Sequence, residues 1–287
     1  MTSRPELRTF AFRPMDEADL PVVHRLSQSV GWPHRIEDWA LALRLGAGVI
    51  ALEPALEPAG IAGTVMWWRY GDTQARVGMV IVHPSLQRAG LGRQLMTACL
   101  NQLEVPTCIL NATAAGESLY RTLGFVPIET IEQYQGIATQ HEVAPASLRI
   151  RKATALDMHA IVAMDRQAIG APRGHVLEAL AAAGEVVVAE GAAGLQGVAV
   201  CRRFGRGHLI GPLTAANSTI ASELAAYWLA RRTGEFVRID TPPALGLPRR
   251  LAAFGLGKVD SVVSMVKGQC SDGGPMRCYA LASQALG

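Results

Sequence analysis

Apolar and polar positions follow two periods along this chain, and the changes of period mark its elements. A β-branched run, Val80-Ile81-Val82, reads as a strand that stops at Pro84. A short polar loop, Gln87-Arg88-Ala89-Gly90-Leu91-Gly92, follows it. Leu91, Leu95, Met96, Cys99 and Leu100 then recur at helical spacing. Thr107-Cys-Ile-Leu-Asn111 predicts a further strand. After it, Leu119 and Leu123 share one helical face, Thr113 is placed to cap that helix, and Gly124 to end it.

The pattern then starts again. Arg13-Pro-Met-Asp through Leu26 has a counterpart in Arg151-Lys-Ala-Thr through Met164. Gly48–Glu53 pairs with Glu185–Glu190, Ile61–Met66 with Leu195–Val200, and Leu123-Gly-Phe125 with Phe254-Gly-Leu256. This order predicts two similar α/β domains, residues 1–143 and 144–287, with Ile137–Pro145 as the linker.

Composition fits two ordinary domains. The 287 residues are 49% hydrophobic and 18% charged, which supplies ample core material. A net charge of +3 with no long basic run gives no basis for a nucleic-acid partner. No apolar run approaches the roughly 20 residues of a membrane span, and the first residues, Met1-Thr-Ser-Arg, form no signal-peptide core. Five cysteines without a C-x-x-C pair read as reduced thiols, and the expected location is cytoplasmic.

A strand, a glycine-punctuated turn and a helix start together make an anion seat. The first N–H groups of a helix lack internal partners, and the helix dipole adds positive potential there. Glycine lets the backbone approach a phosphate closely. Spacing excludes the nucleoside-triphosphate loop G-x-x-x-x-G-K-[ST]. It also excludes G-x-G-x-x-G, since Leu95 stands where the third glycine would fall.

What remains is Q-x-x-G-x-G, Gln87 to Gly92. It resembles the acyl-CoA pyrophosphate loop of the GNAT superfamily of N-acyltransferases. Asn111, with Leu119-Tyr120-Arg-Thr-Leu-Gly124-Phe125 after it, resembles the family's closing motif N-x-x-A-x-x-L-Y-x-x-x-G-F. It departs from that motif at Thr113 and Gly116, where the family usually has Asn and Ala. The resemblance covers roughly residues 7–130 and implies a mixed, mostly antiparallel sheet flanked by helices, α+β within the α/β class. It implies acetyl-CoA as co-substrate, no metal, and a primary amine of a small molecule as acceptor. Val80, Ile81 and Val82 would pair with the pantetheine, and a main-chain N–H of Ile81 or Val82 would face the thioester. Gln87, Arg88, Ala89, Gly90, Leu91, Gly92 and Arg93 would hold the pyrophosphate, with Asn111 and Thr113 beside the cofactor. Tyr120 would be the general acid. Trp32, His34 and Asp38 fall in the region that lines the acceptor side in the family.

The second half has lost these marks. With Pro84 aligned on Pro212, Gln87, Arg88, Gly90 and Gly92 fall on Ala215, Ala216, Ser218 and Ile220, and Tyr120 falls near Leu251. The second half also resembles the altered C-terminal half of a tandem class, in Gly211–Ala215 and Phe236–Asp240. It is expected either to cover the first domain or to wall the acceptor pocket. No acid on the strand before the loop supplies a general base; Glu53, Asp72 and His34 are the candidates. A non-catalytic acyl-CoA binder and a protein-modifying acetyltransferase remain as other readings, and oligomeric state is open.

Overall fold

The computed structural model describes residues 10–53, 56, 60–141, 146–192, 194–270 and 273–287. The first half runs β1 (Ala11–Pro14), α1 (Leu20–Ser29), α2 (Ile36–Leu45), β2 (Ala47–Leu52), β3 (Ile61–Tyr70), β4 (Gln74–Val82), α3 (Leu91–Gln102), β5 (Thr107–Ala112), α4 (Glu117–Thr122) and β6 (Val126–Ile137). The second half repeats the plan as β7 (Arg149–Lys152), α5 (Met158–Ile169), α6 (Gly174–Ala183), β8 (Gly184–Gly191), β9 (Gly194–Phe204), β10 (Gly207–Ala215), α7 (Ser218–Arg231), β11 (Phe236–Thr241), α8 (Pro248–Leu251) and β12 (Gly257–Lys267). A last strand, β13 (Arg277–Ala280), follows.

Both chain starts carry the same lock. Arg13 grips the Asp19 carboxylate with two hydrogen bonds of 2.8 and 2.6 Å, and Arg151 grips Asp157 with two of 2.8 Å. Each carboxylate also accepts a backbone N–H three residues earlier, at Asp16 or Thr154, so it fixes the turn into α1 or α5. The duplicated segments Arg13–Leu26 and Arg151–Met164 therefore fold into duplicated structure.

The strands form one sheet in the order β1-β2-β3-β4-β5-β12-β6-β11-β10-β9-β8-β7, with β13 paired to β10 off this path. Only β4–β5 and β10–β11 are parallel; every other pair is antiparallel. The centre is an exchange. Strand β12 of the second half lies against β5 of the first, and β6 of the first lies against β11 of the second. The β12–β6 pair joins them. Each half's sheet is thus completed by a strand from the other.

The exchange fixes much of the expected linker. Ile137 pairs with Phe236, the Ala138 N–H donates to the Glu235 carbonyl, and the Thr139 N–H donates to that of Phe254. Backbone groups paired in this way are structural members, not slack chain. Residues 142–145, where the expected boundary falls, lie outside the described residues.

Burial follows the two periods. Leu91, Leu95, Met96 and Cys99 seat α3 on the first half's sheet, as the helical spacing predicts. Ile220, Leu224, Ala225 and Trp228 seat α7 on the second. On the opposite face of the first half, Trp39 and Trp68 are fully buried. Their indole N–H groups donate to Ser27 Oγ at 3.2 Å and to the Ala42 carbonyl at 2.9 Å. Removing either ring costs about 3–5 kcal/mol in packing. These anchors hold the α1–α2 corner, with Trp32 and His34, over β3 and β4.

Candidate functional site

The β4–β5 ladder is short. Gln74–Val77 pairs with Thr107–Leu110, and then the strands part. The cause is a bulge in β4. Met66 pairs with Gly78 and Thr64 with Ile81, so Met79 and Val80 together face one residue of β3. Met79 takes a left-handed φ of 52°, uncommon for a side-chain-bearing residue, and its carbonyl accepts the buried Thr64 hydroxyl at 2.7 Å. A cavity of about 250 Å³ occupies the opening.

The loop Gln87–Gly92 lies beyond the end of β4. Arg88 and Gly90 take left-handed φ values of 66° and 82°. Gly90 is the N-cap of α3 and carries no capping side chain. The Ala89 N–H donates to Leu86, and the helix ladder begins at Gln94, which donates to Gly90. Among the described residues no acceptor meets the N–H groups of Arg88, Gly90, Leu91, Gly92 or Arg93. Five such donors at a helix start are of the kind that suits an anion. A Cβ on Gly92 would come within 3.2 Å of Leu119 Cδ2, so this turn is closely packed on α4 as well. Gln87 and Arg88 are exposed. The Arg93 guanidinium turns away and donates to Thr122 Oγ1 at 2.8 Å.

Tyr120 lines the cavity from α4. Its ring packs edge-on to Phe125 and is 8% exposed. Burial, aided by the neighbouring Cys99, pushes the phenol up to about 12, so it keeps its proton at neutral pH. Gly116 sits over the ring: a Cβ there would come within 2.9 Å of Tyr120 Cε2. The departure from Ala at this position therefore leaves room for the ring. Thr113 lines the cavity too, but its side chain does not cap a helix. Helix α4 starts later, at Glu117, and the Thr113 carbonyl accepts the N–H groups of Gly116 and Glu117 instead. Gly124 ends the helix at φ 88°, as expected.

Of the strand residues expected beside the cofactor, Val80 lines the cavity, together with Gly78 and Met79. Ile81 and Val82 do not, because the bulge turns the backbone before them. Asn111 lines the cavity and donates to the Gln284 carbonyl at 2.6 Å.

The acceptor-side candidates are also brought here. Trp32, His34 and Asp38 share a wall of the cavity. Burial, then the Arg238 charge, draws His34 down to about 4, so the ring is neutral. Its edge meets Trp32, Trp39 and Phe204. Burial alone would raise the Asp38 carboxyl, but the Arg35 guanidinium and the N–H groups of Gly205 and Arg35 outweigh it and hold it low. Those donors use both Asp38 oxygens, so Asp38 clamps the halves together; it is not a free base. Neither Glu53 nor Asp72 lines the cavity.

Several lining residues carried no signal in the sequence. The β9–β10 hairpin docks on the α1–α2 corner, with the Arg35 guanidinium donating to the Arg203 carbonyl at 3.0 Å. It brings Arg202, Phe204 and Arg206 to the cavity, and β11 brings Arg238. The segment 283–286 completes the wall. Ala285 lies against Gly78, close enough that a Cβ on that glycine would be 3.1 Å from its own. The Leu286 carbonyl accepts the Tyr70 hydroxyl at 2.6 Å and Arg173 Nη1 at 2.9 Å. Arg173 is itself buried and paired twice with Asp165 at 2.8 Å. Residues of both halves thus line the cavity.

The second half has no equivalent seat. Strand β10 runs through Pro212 to Ala215, and α7 begins at Ser218 after residues 216–217 alone. The gapless alignment on Pro212 thus overstates the correspondence: the phosphate loop is missing there, not merely altered. The N-cap matching Gly90 is Asn217, whose side chain accepts the Ile220 N–H at 3.0 Å. Leu251 does match Tyr120. The Leu256 N–H donates to Leu251 as the Phe125 N–H does to Tyr120, each beside a left-handed glycine.

A strand that runs into an uncapped helix start is the arrangement that the sequence resemblance anticipated, and comparison with known proteins agrees on the family. Residues 34–143 and 161–279 each match the acetyltransferase (GNAT) domain. The N-acetyltransferase YitH of Bacillus subtilis (strain 168), itself uncharacterized, is 30% identical over 218 residues, spanning 74% of this chain and 76% of that protein. A putative acetyltransferase from Pyrococcus horikoshii has the same fold with a TM-score of 0.79 at 21% identity, over 100% of this chain and 99% of that one. A tandem GNAT protein from the clavulanic acid biosynthesis pathway gives 0.63 at 15% identity, over 92% and 100%. The chain belongs to the GNAT family of acetyltransferases, and it carries the family's domain twice.

Among the described residues no cluster of His, Cys, Asp and Glu could hold a metal ion, and no helix is long and apolar enough to cross a membrane.

Proposed function

We propose that this chain transfers the acetyl group of acetyl-CoA to a primary amine of a small molecule, at one site in the first half. The observation that carries this reading is the single cavity that joins the β4–β5 opening, Tyr120 and the wall of the second half. The uncapped N–H groups of Arg88 and Gly90–Arg93 suit a pyrophosphate, and the opening between β4 and β5 suits an extended pantetheine adding to a strand. Acetyl-CoA there supplies an activated acetyl group, whose C–S bond breaks as the amine nitrogen bonds to the carbonyl carbon, the sulfur keeping the electron pair.

The chain's residues divide the remaining work. A main-chain N–H of the bulge, at Met79 or Val80, replaces Ile81 and Val82 as the donor to the acetyl oxygen, since these residues line the cavity. The Tyr120 hydroxyl donates a hydrogen bond to the leaving sulfur. With the phenol pushed up to about 12, well above an ordinary thiol at about 8.5, full proton transfer is uphill, so the role is stabilisation of the thiolate. His34, near 4, is too weak a base to take a proton from an ammonium group. The amine therefore enters neutral, having lost one proton to solvent, and as the amide forms its nitrogen gives up a second proton, which ends on the departing thiolate to leave free CoA thiol. Trp32, His34 and the β9–β10 hairpin enclose the acceptor and exclude water. A pocket of about 250 Å³ walled by both halves favours a small acceptor over a protein segment.

Thiol release in a panel of amines tests this. The rate is expected to follow the concentration of neutral amine, so log kcat/KM rises with slope one up to the amine's own pKa. Acetyl-CoA binding without thiol release from any amine would leave a non-catalytic binder. Transfer to protein amines alone would leave the protein-modifying reading.

A further inference from the structure

The cavity wall is electrically lopsided. The first half presents Trp32, Pro33, Leu41 and Ala42, a neutral His34 and one carboxylate, Asp38, whose oxygens are taken up by Arg35 and backbone N–H groups. The second half presents three guanidinium groups, Arg202, Arg206 and Arg238.

Their partners do not balance them. Arg238 is matched: Nε and Nη2 donate to the Asp240 carboxylate at 2.8 to 3.1 Å. Arg202 is not. Its nearest carboxylate is Asp38, 3.9 Å away, and both Asp38 oxygens already serve Arg35 and backbone N–H groups. Arg202 Nη1 and Nη2 donate to the Arg203 and Ala282 carbonyls at 3.4 and 3.0 Å, and its Nε has no partner among the described residues although the side chain is only 3% exposed. Such an incompletely paired buried cation is costly unless a ligand completes it. Arg206, in the turn between β9 and β10, has no carboxylate within ion-pair distance among the described residues. Its guanidinium stacks on Phe236 at 4.9 Å and is exposed. The remaining acid of the lining, Asp260, is exposed and accepts the Ser261 N–H at 2.8 Å.

We propose that the acceptor is a zwitterionic small molecule, whose amine lies toward Gly78 and Met79 and whose anionic group, carboxylate or phosphate, is held by Arg202 and Arg206. The proposal rests on the acetyl-transfer reading above and names its substrate class. A guanidinium suits either anion, because its fork of N–H groups matches two oxygens at once. It also explains why the second half contributes to the acceptor wall: it supplies positive charge there, where the first half supplies apolar surface and the acetyl site.

Matched pairs test it. β-Alanine is compared with β-alaninamide, and phosphoethanolamine with ethanolamine, with thiol release referred to the concentration of neutral amine. At least one anionic member is expected to exceed its neutral partner in kcat/KM by tenfold or more, and which pair shows the larger ratio tells carboxylate from phosphate. Arg206→Gln collapses that ratio toward one by raising KM for the anionic member, and Arg206→Lys restores part of it. Equal rates within both pairs, with acetyl transfer to all four amines, would overturn the anion site and leave acetyl transfer standing. Calorimetric titration of the same compounds into the CoA-bound protein separates the other failure. Binding of an anionic member with no thiol released from any amine would uphold the anion site and overturn acetyl transfer. Neither binding nor release would overturn both.

Discussion

Beyond Val77 and Leu110, β4 and β5 part around a cavity. Beyond Leu209 and Arg238, β10 and β11 part as well, but the chain's own β13 enters there. Leu213, Thr214 and Ala215 of β10 pair with Ala280, Cys278 and Arg277, and the Leu281 N–H donates to the Asp240 carbonyl. The same fold thus makes the same opening twice. One holds the cavity and the other is filled by a strand of the protein. The helix starts differ in the same sense: α3 offers free N–H groups behind Gly90 with no capping side chain, while in α7 the Asn217 side chain takes the Ile220 N–H. The chain leaving β13 then reaches the first site, where residues 283–286 form part of the wall. Filling one site and shaping the other are consecutive tasks of one segment.

Making the first helix start resemble the second is the severest way to break this contrast. Gly92→Asp places a carboxylate among the free N–H groups and crowds Leu119. Acetyl-CoA affinity should fall on the order of a hundredfold, read by calorimetry, with a melting temperature close to the parent's. Next comes the difference between Tyr120 and Leu251. Tyr120→Phe should lower kcat roughly 10- to 100-fold while acetyl-CoA affinity holds. An unchanged kcat at saturating substrates would take the hydroxyl out of the chemistry. Gly116→Ala, which presses a methyl on the ring, should lower kcat by a smaller factor.

How much of this was legible follows from what each signal is made of. The anion seat and Tyr120 lie in contiguous motifs, and local patterns can be read locally. The ion pairs of Arg13 and Arg151 likewise sit within repeats that the sequence displays. The cavity wall does not. Arg202 and Arg238 lie on strands whose hydrophobic pattern explains burial alone, Arg206 lies in the turn between β9 and β10, and only the docking of a hairpin on the α1–α2 corner gives them a common target. The segment Phe236–Asp240 did stand out in the sequence, but nothing local says that Arg238 faces a cavity in the other half. The bulge at Met79 was invisible for a different reason. A β-branched run predicts a strand without saying where its register slips, and this one slip brings Met79 and Val80 to the cavity instead of Ile81 and Val82. The strand exchange of β6 and β12 was hidden because both strands pair antiparallel in either arrangement.

Two smaller effects sharpen the contrast between the halves. His34 holds a depressed pKa near 4 in the folded state against about 6.5 unfolded. Between those values the unfolded chain binds a proton that the folded chain refuses, so stability present above pH 6.5 is lost as the pH falls toward 4. His34→Asn should flatten the fall in urea midpoint across that window relative to the parent. Asn217→Ala, in the second half, should cost about 1 kcal/mol of stability as a lost cap. It should leave acetyl-CoA affinity and turnover as they are, because β13 still fills the opening beside it.

The central claim is that a chain with the fold twice has one working site. Because the halves exchange strands, the intact chain is the right object, and calorimetric titration with acetyl-CoA measures the claim directly. One molecule bound per chain, with binding removed by Gly92→Asp, is the predicted result. Two per chain, or one that survives Gly92→Asp, would contradict it.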